Sequence, residues 1–418
     1  MKIASRLAFS LLVLGAIVGS DAFAFGPAGH YVFLRQVSDS LGASSILWKA
    51  ITQYPSVAAA GALGPDIGYG ENPITRSQYA PWADRFHYDR VGLAARTLLQ
   101  SALASGDNRK IAFAAGWLTH VIGDMSIHGR YVNIEAGVYL DNPAGRQLHK
   151  TLETNAEPFL WVTIGGHSET AWAESCDGVI HRILADSFCD AEDLPCSLVD
   201  SASQAIWGER PGDDLRTWYR KIMAGLVTGI GYSYVKLGDA TGVLTPTRQA
   251  RIRDAVDSGV RDAVALLRAA ESGDYHACSN RWNLDAMDPQ YDHRPIGALA
   301  VNVKTANEVG SGTDADIYFA ITTTSGVIKE WLLDKEQYND LEAGDSDDYY
   351  LYSSDPIITP SSISGVYLRM GTQHGVGNAW KCQTLTAYVD GVPMTYQVNK
   401  EFSGSGSTWA APYMRNPD

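Results

Sequence analysis

The periodicity of apolar positions changes once along the 418-residue chain. From residue 25 to about Ala270, apolar residues recur every three or four positions, the spacing of helices that bury one face. Tyr31–Val37 reads as the first such segment, with Pro27 and Gly29 marking its approach. Ile46–Tyr54, Val91–Ala104, Asp107–Met125, the stretch GRQLHKTLETNAEPFLW from Gly145, Ala202–Trp207, Asp214–Leu237 and Pro246–Ala270 follow. Gly64-Pro65 is a turn signal that sets Asp66 on a loop, and the stretch after His128 reads as irregular. The pattern predicts an all-α bundle. Near Asp292 the texture changes to alternation: Leu299–Thr305, Ala315–Thr322, Tyr349–Tyr352, Val366–Met370 and Leu385–Val389. Gly- and Asp-rich turns (GSGTDAD, EAGDSDD, GTQHGVGN) separate these runs, which predicts an antiparallel β-sandwich. The expected molecule is a multidomain α and β protein: a leader over 1–24, a helical domain over 25–292, a sandwich over 298–402 and a mobile tail over 403–418. The helical domain ends in the linker Glu271–His293.

The leader MKIASRLAFSLLVLGAIVGSDAFA has Lys2 and Arg6 before the apolar run Leu7–Val18, and Ala22-Phe23-Ala24 is a small-x-small cleavage site. This is the pattern of a secretory signal peptide, and the run is too short for an ordinary transmembrane span. A secreted or periplasmic protein that begins at Phe25 is expected. Removing Lys2, Arg6 and Asp21 makes a chain of net charge −14 one unit more negative. An acidic exported chain is a poor non-specific ligand for nucleic acid or anionic membranes. Of the five cysteines, Cys176, Cys189 and Cys196 lie close together, while Cys278 and Cys382 stand apart. No Cys-x-x-Cys pair suggests a thiolate metal site; export favours a disulfide among the first three. No pattern speaks to oligomeric state.

Chemistry concentrates in GWLTHVIGDMSIH, residues 116–128, which sets His120, Asp124 and His128 four apart. Each helical step of four advances by about 40°, so the three side chains share one face. Trp117, Leu118, Val121, Ile122, Met125 and Ile127 surround them. A helix apolar nearly all round is buried, and buried imidazoles and carboxylates need partners. A solvent-facing polar stripe does not fit that setting; a metal does. His30, His87 and His149 join the ladder as candidate donors, with Asp66 and Glu153. Singly, each has a plainer explanation: a packed histidine, a turn carboxylate, an i, i+4 surface pair. Jointly they give five nitrogen and three carboxylate donors without a thiolate, a set suited to zinc. Eight donors exceed one tetrahedral site, so two or three ions with a bridging carboxylate are expected. Such clusters activate water and stabilise both oxygens in phosphate ester displacement.

The ordered motifs GxxGH, GPD, FHY, HxxxDxxxH and HxxxE, running from Phe25 to about Pro158, resemble the zinc-dependent phospholipase C superfamily, which also includes the S1/P1-type nucleases. The resemblance implies three zinc ions in an α-helical domain. Asp66, His87, His120 and Asp124 would hold one, and His128, His149 and Glu153 a second. His30, the bridging Asp124 and the amine and carbonyl of Phe25 would hold the third, so that processing completes the site. It also implies that Asp66 orients or deprotonates the attacking water. Two features depart from the pattern. Phe25 stands where the family often has Trp, and the gap from Asp124 to His128 is shorter than in many bacterial members. The short gap is closer to the phosphatidylinositol-glycan-specific phospholipase D branch.

VNVKTANEVGSGTDADIYFAI, EWLLDKEQYNDLEAGDSDDYYL and VYLRMGTQHGVGNAWKCQTLTAYV, within Leu299 to about Phe402, resemble a PLAT (lipoxygenase homology) domain. That resemblance implies docking onto lipid or protein, sometimes with calcium. Asp314, Asp345 and Asp347 fall in turns where calcium would sit; acidic solvated turns explain them equally well. Trp331 and Trp380 are candidates for interfacial anchors or for core. The expected function is hydrolysis of a membrane phospholipid phosphodiester, C-type ahead of D-type cleavage. An S1/P1-like nuclease is disfavoured by the acidic charge, the lipid-type second domain and Glu153, where such nucleases usually carry Asp. A non-catalytic metal-stabilised binding protein is disfavoured by the donor count.

Overall fold

Residues 26–71, 81–167, 194–212, 242–285, 295–335, 338–374 and 379–413 are described by a computed structural model of the chain. The leader, Phe25, Cys176, Cys189 and the helix expected over Asp214–Leu237 lie outside these residues. The chain divides into two units at Asp292/His293.

In the first unit the helices are α1 (Pro27–Leu41), α2 (Ile46–Gln53), α3 (Pro55–Ala62), α4 (Pro81–Tyr88), α5 (Val91–Ser105), α6 (Asn108–Ile127), α7 (Asn133–Ala136), α8 (Arg146–Phe159), α9 (Leu194–Trp207) and α10 (Pro246–Glu271). Helix α1 starts four residues earlier than the apolar spacing indicated, because Pro27 occupies its first position, where a missing N–H costs nothing. Two further corrections concern the site. Asp66 lies in a 3-10 helix, Pro65–Glu71, rather than a loop. The stretch after His128 is a π-helical turn, His128–Val132, that continues α6 into α7. π-Turns of this kind are frequent at functional sites.

Helix α6 is the central element, packed by α3, α5, α10 and α2. Asp107 caps it by accepting the Arg109 N–H, and every residue from Ile111 to Ile127 is buried. Its approach to α3 is a backbone contact. A Cβ on Gly116 would lie 2.1 Å from the Ala58 carbonyl oxygen, and one on Gly61 2.0 Å from that of Phe113. The run of small residues in α3 therefore sets the distance between the two helices.

The second unit pairs two four-stranded antiparallel sheets, β4-β1-β6-β7 and β3-β2-β5-β8. The strands are β1 (Leu299–Thr305), β2 (Ile317–Thr323), β3 (Ile328–Leu332), β4 (Ser346–Leu351), β5 (Ile363–Met370), β6 (Trp380–Val389), β7 (Val392–Phe402) and β8 (Thr408–Pro412). Alternating residues such as Val301, Val303, Phe319, Ile321, Leu368 and Leu385 form the core. The tail expected from residue 403 is corrected: Thr408–Arg369 and Pro412–Gly365 register β8 against β5. Trp331 and Trp380 are both core. Their indole N–H groups donate to the Tyr352 carbonyl at 2.7 Å and to Thr305 Oγ1 at 3.0 Å, so neither is an interfacial anchor.

The expected turn position of Asp347 is also corrected. Asp347 lies on β4, fully buried, and its carboxylate accepts from Lys335 Nζ at 2.8 Å and the Leu341 N–H at 2.9 Å. Asp314, Asp345 and Asp347 do not form a group of donors close enough to share an ion.

Candidate metal centre

The sequence-predicted donors that lie within the described residues converge in three buried groups: His30, His120 and Asp124; Asp66, His87 and His120; His128, His149 and Glu153. Local structure explains how each arrives. Gly64 packs flat on Trp117, whose ring carbon a Cβ would meet at 2.5 Å; this close approach seats Pro65-Asp66 beside α6. His87 is on the last turn of α4. His120 and Asp124 sit one turn apart on α6, His128 opens the π-turn, and His149 and Glu153 sit one turn apart on α8.

Asp66 Oδ1 and His87 Nε2 are 3.2 Å apart, His87 Nε2 and His120 Nε2 3.2 Å, and His120 Nε2 and Asp124 Oδ2 3.1 Å. The separations of Asp124 Oδ2 from His87 Nε2 and of Asp66 Oδ1 from His120 Nε2 are 3.6 and 3.8 Å. Four donors at the usual zinc distances of ~2.0–2.1 Å form a tetrahedron with edges of about 3.3–3.4 Å. The protein holds these atoms close to that spacing.

Hydrogen bonding on the far side of the rings sharpens the point. His87 Nδ1 is 2.6 Å from the Ala83 carbonyl, and His120 Nδ1 is 2.7 Å from the Ala62 carbonyl. A carbonyl only accepts, so each Nδ1 carries a proton and each neutral ring turns its Nε2 lone pair inward. Two inward lone pairs at 3.2 Å repel unless a cation, a proton or a metal ion, lies between them. Burial pushes the His87 pKa down, but Asp124 and Asp66 outweigh it and raise it to about 10. Burial opposes ionisation of Asp66 and Asp124 as well; the imidazoles around them reverse this and hold both below the ordinary carboxylate range, Asp124 well below. Burial and His120 together lower the pKa of His30.

Asp124 faces two ways. Its Oδ2 belongs with His120 and His87, while its Oδ1 is 3.4 Å from His30 Nε2. The His30 ring stacks on His120 with centroids 3.8 Å apart. In the remaining group Glu153 Oε1 is 3.2 Å from His128 Nε2 and 3.0 Å from His149 Nε2. None of these three atoms has a hydrogen-bond partner, as expected of donors aimed at a common point rather than at one another. Burial lowers the His128 pKa, but Asp285 and Glu153 raise it to about 9.

Two buried acids escaped the sequence reading. Glu157 accepts from the Ala28 N–H at 2.9 Å and the Gly29 N–H at 3.0 Å, pinning the start of α1 to α8. Burial raises its pKa to about 8 against the pull of the Ala28, Gly29 and Gly26 N–H groups. Its position four residues beyond Glu153 was a legible signal. Asp285, beside His128, follows no motif.

These features define a helical unit with a multi-donor nitrogen and oxygen centre, joined to a β-sandwich. Residues 29–187 match the model of the family described as zinc dependent phospholipase C, and residues 299–410 match that of the PLAT/LH2 domain. Among curated relatives, the phospholipase C of Clostridium novyi is 36% identical over 118 residues and that of Clostridium haemolyticum 31% over 119. Each match covers 28% of this chain and 29% of the relative, so less than a third of those proteins is spanned. Among solved structures, alpha toxin from Clostridium absonum aligns over 93% of this chain and 99% of its own at 17% identity, with a TM-score of 0.32.

Proposed function

We propose that the chain is an exported zinc-dependent phosphodiester hydrolase that cleaves membrane phospholipids, with C-type cleavage leaving diacylglycerol. The observation that carries this reading is the facing pair of His87 and His120 lone pairs, ringed by Asp66 and Asp124 at tetrahedral spacing. Asp66, His87, His120 and Asp124 would hold one zinc; His128, His149 and Glu153 a second. His30 and Asp124, with the amine and carbonyl of Phe25, would hold a third. When bound, clustered zinc supplies Lewis acidity, lowering the pKa of water and stabilising charge on phosphoryl oxygens.

The chain's own groups supply the rest. Asp66, kept ionised by His120, His30 and His87, orients the attacking water and accepts its proton. Asp124 ties two donor groups together through separate oxygens. The Ala83 and Ala62 carbonyls fix the ring tautomers of His87 and His120. The PLAT/LH2 unit brings the helical unit to a lipid surface. Among the described residues no helix is long and apolar enough to cross a membrane, consistent with peripheral contact.

Phosphatidylcholine vesicles provide the test. Release of phosphocholine, abolished by a chelator and restored by zinc, is expected. The short Asp124-to-His128 gap favours a second reading, D-type cleavage, which release of phosphatidic acid would select. Activity confined to single-stranded nucleic acid would overturn the lipid reading. Export is tested by the N-terminal sequence of the secreted protein, expected to begin at Phe25.

A further inference from the structure

The inner faces of the rings converge on the donor groups, but their outer nitrogens are held unequally. His87, His120 and His149 turn Nδ1 to main-chain carbonyls, those of Ala83, Ala62 and Gly137, at 2.6, 2.7 and 3.4 Å. His128 alone of these four turns it to a carboxylate, Asp285 Oδ1, at 3.6 Å. Asp285 is fully buried, and no hydrogen bond reaches either of its oxygens. An ionised carboxylate is not stable in such a place without a partner, and the His128 Nδ1 side faces it.

The acid is rigidly placed. Trp282, Asn283 and Leu284 are buried with it, Asn283 Oδ1 accepts the Asp285 N–H at 2.8 Å, and the Leu284 N–H donates to the His87 carbonyl at 2.7 Å. One short segment, well beyond residues 29–187 that match the phospholipase family, thus touches the main chain of one donor group and the ring of another.

We propose that Asp285 is a positioning residue for the His128, His149 and Glu153 group: it holds the proton on His128 Nδ1, aims Nε2 at the metal and makes the ring a stronger donor. This rests on the metal-centre reading given above. Carboxylate support of this kind changes metal affinity by about 10–100-fold.

The test is zinc competition with a chromophoric chelator on the full-length mature protein, with folding checked by circular dichroism. The parent is expected to retain two or three zinc ions. D285N is expected to bind one of them about 10–100-fold more weakly while keeping the others, and D285E to recover most of the loss. Parental affinity in folded D285N would overturn the proposal, whereas a parent that binds no zinc would overturn the metal-centre reading itself. If D285N does not fold, long-range proton–nitrogen correlation spectra of the histidine-labelled, zinc-loaded parent decide. His128 protonated on Nδ1 is expected; protonation on Nε2 would overturn the proposal.

Discussion

The backbone contact between α3 and α6 leaves no room for a side chain at Gly116. In Gly116→Ala the new Cβ would lie 2.1 Å from the Ala58 carbonyl oxygen and 2.8 Å from the Ala62 nitrogen, where ordinary contact begins at 3.4 Å. Both obstacles are backbone, so the helices must part by about 1.3 Å, overpacking of a kind that costs ~1–3 kcal/mol. The same movement carries the Ala62 carbonyl away from His120 Nδ1, now 2.7 Å distant. Stretched by that amount the contact is no longer a hydrogen bond, leaving buried polar groups unsatisfied at about 1–3 kcal/mol. Together roughly 2–6 kcal/mol is lost, which for a domain of this size, at about 2–4 °C per kcal/mol, lowers Tm by roughly 4–24 °C. Differential scanning calorimetry and zinc content measure both parts. Gly404→Ala, at a position with nothing within 4 Å, serves as the tolerated control. A G116A protein that melts within 2 °C of the parent, on the order of one kcal/mol, and keeps its zinc would refute the link from helix spacing to site.

The raised pKa values of His87 and His128, about 10 and about 9, lie above the unfolded value of 6.5. Their contribution to metal-free stability is present below pH 6.5 and lost as pH rises through 9 to 10, so urea midpoints should fall over that window. Zinc must displace the same protons, so calorimetric titration at pH 7 in buffers of different ionisation enthalpy should register proton release, and none would count against the ligand assignment. Glu157→Ala strips the acceptor from the Ala28 and Gly29 N–H groups; a loss of about 1–3 kcal/mol in denaturant unfolding is expected, with faster amide exchange at the start of α1. Truncation after Ser403 removes β8 and opens the β5 edge, so the shortened chain should aggregate, as followed by light scattering.

The long buried helices and the alternating strands were legible because one period dominated each. Less regular elements were not. Strand β7 does alternate, with Val392, Met394, Tyr396, Val398 and Phe402 on one face, yet only Val398 and Phe402 are buried and Lys400 interrupts the apolar face; a second signal for it was Asp390-Gly391, whose positive φ values of 50° and 76° make a two-residue hairpin turn. The Ser- and Gly-rich run before β8 read as a tail because five residues of edge strand carry little apolar pattern. At the site, the donors were legible because metal chemistry restricts residue type. Their supports were not: the Ala62 and Ala83 carbonyls belong to no residue type, and Asp285 is brought to His128 only by the tertiary fold.

The most direct measurement is product identification on phosphatidylcholine vesicles with the mature protein, the protein stripped by chelator and the protein reloaded with zinc. Phosphocholine and diacylglycerol in the first and third samples and neither in the second is the predicted result. Equal phosphodiester cleavage in all three, or none in any, would contradict a zinc-dependent centre built on Asp66, His87, His120 and Asp124.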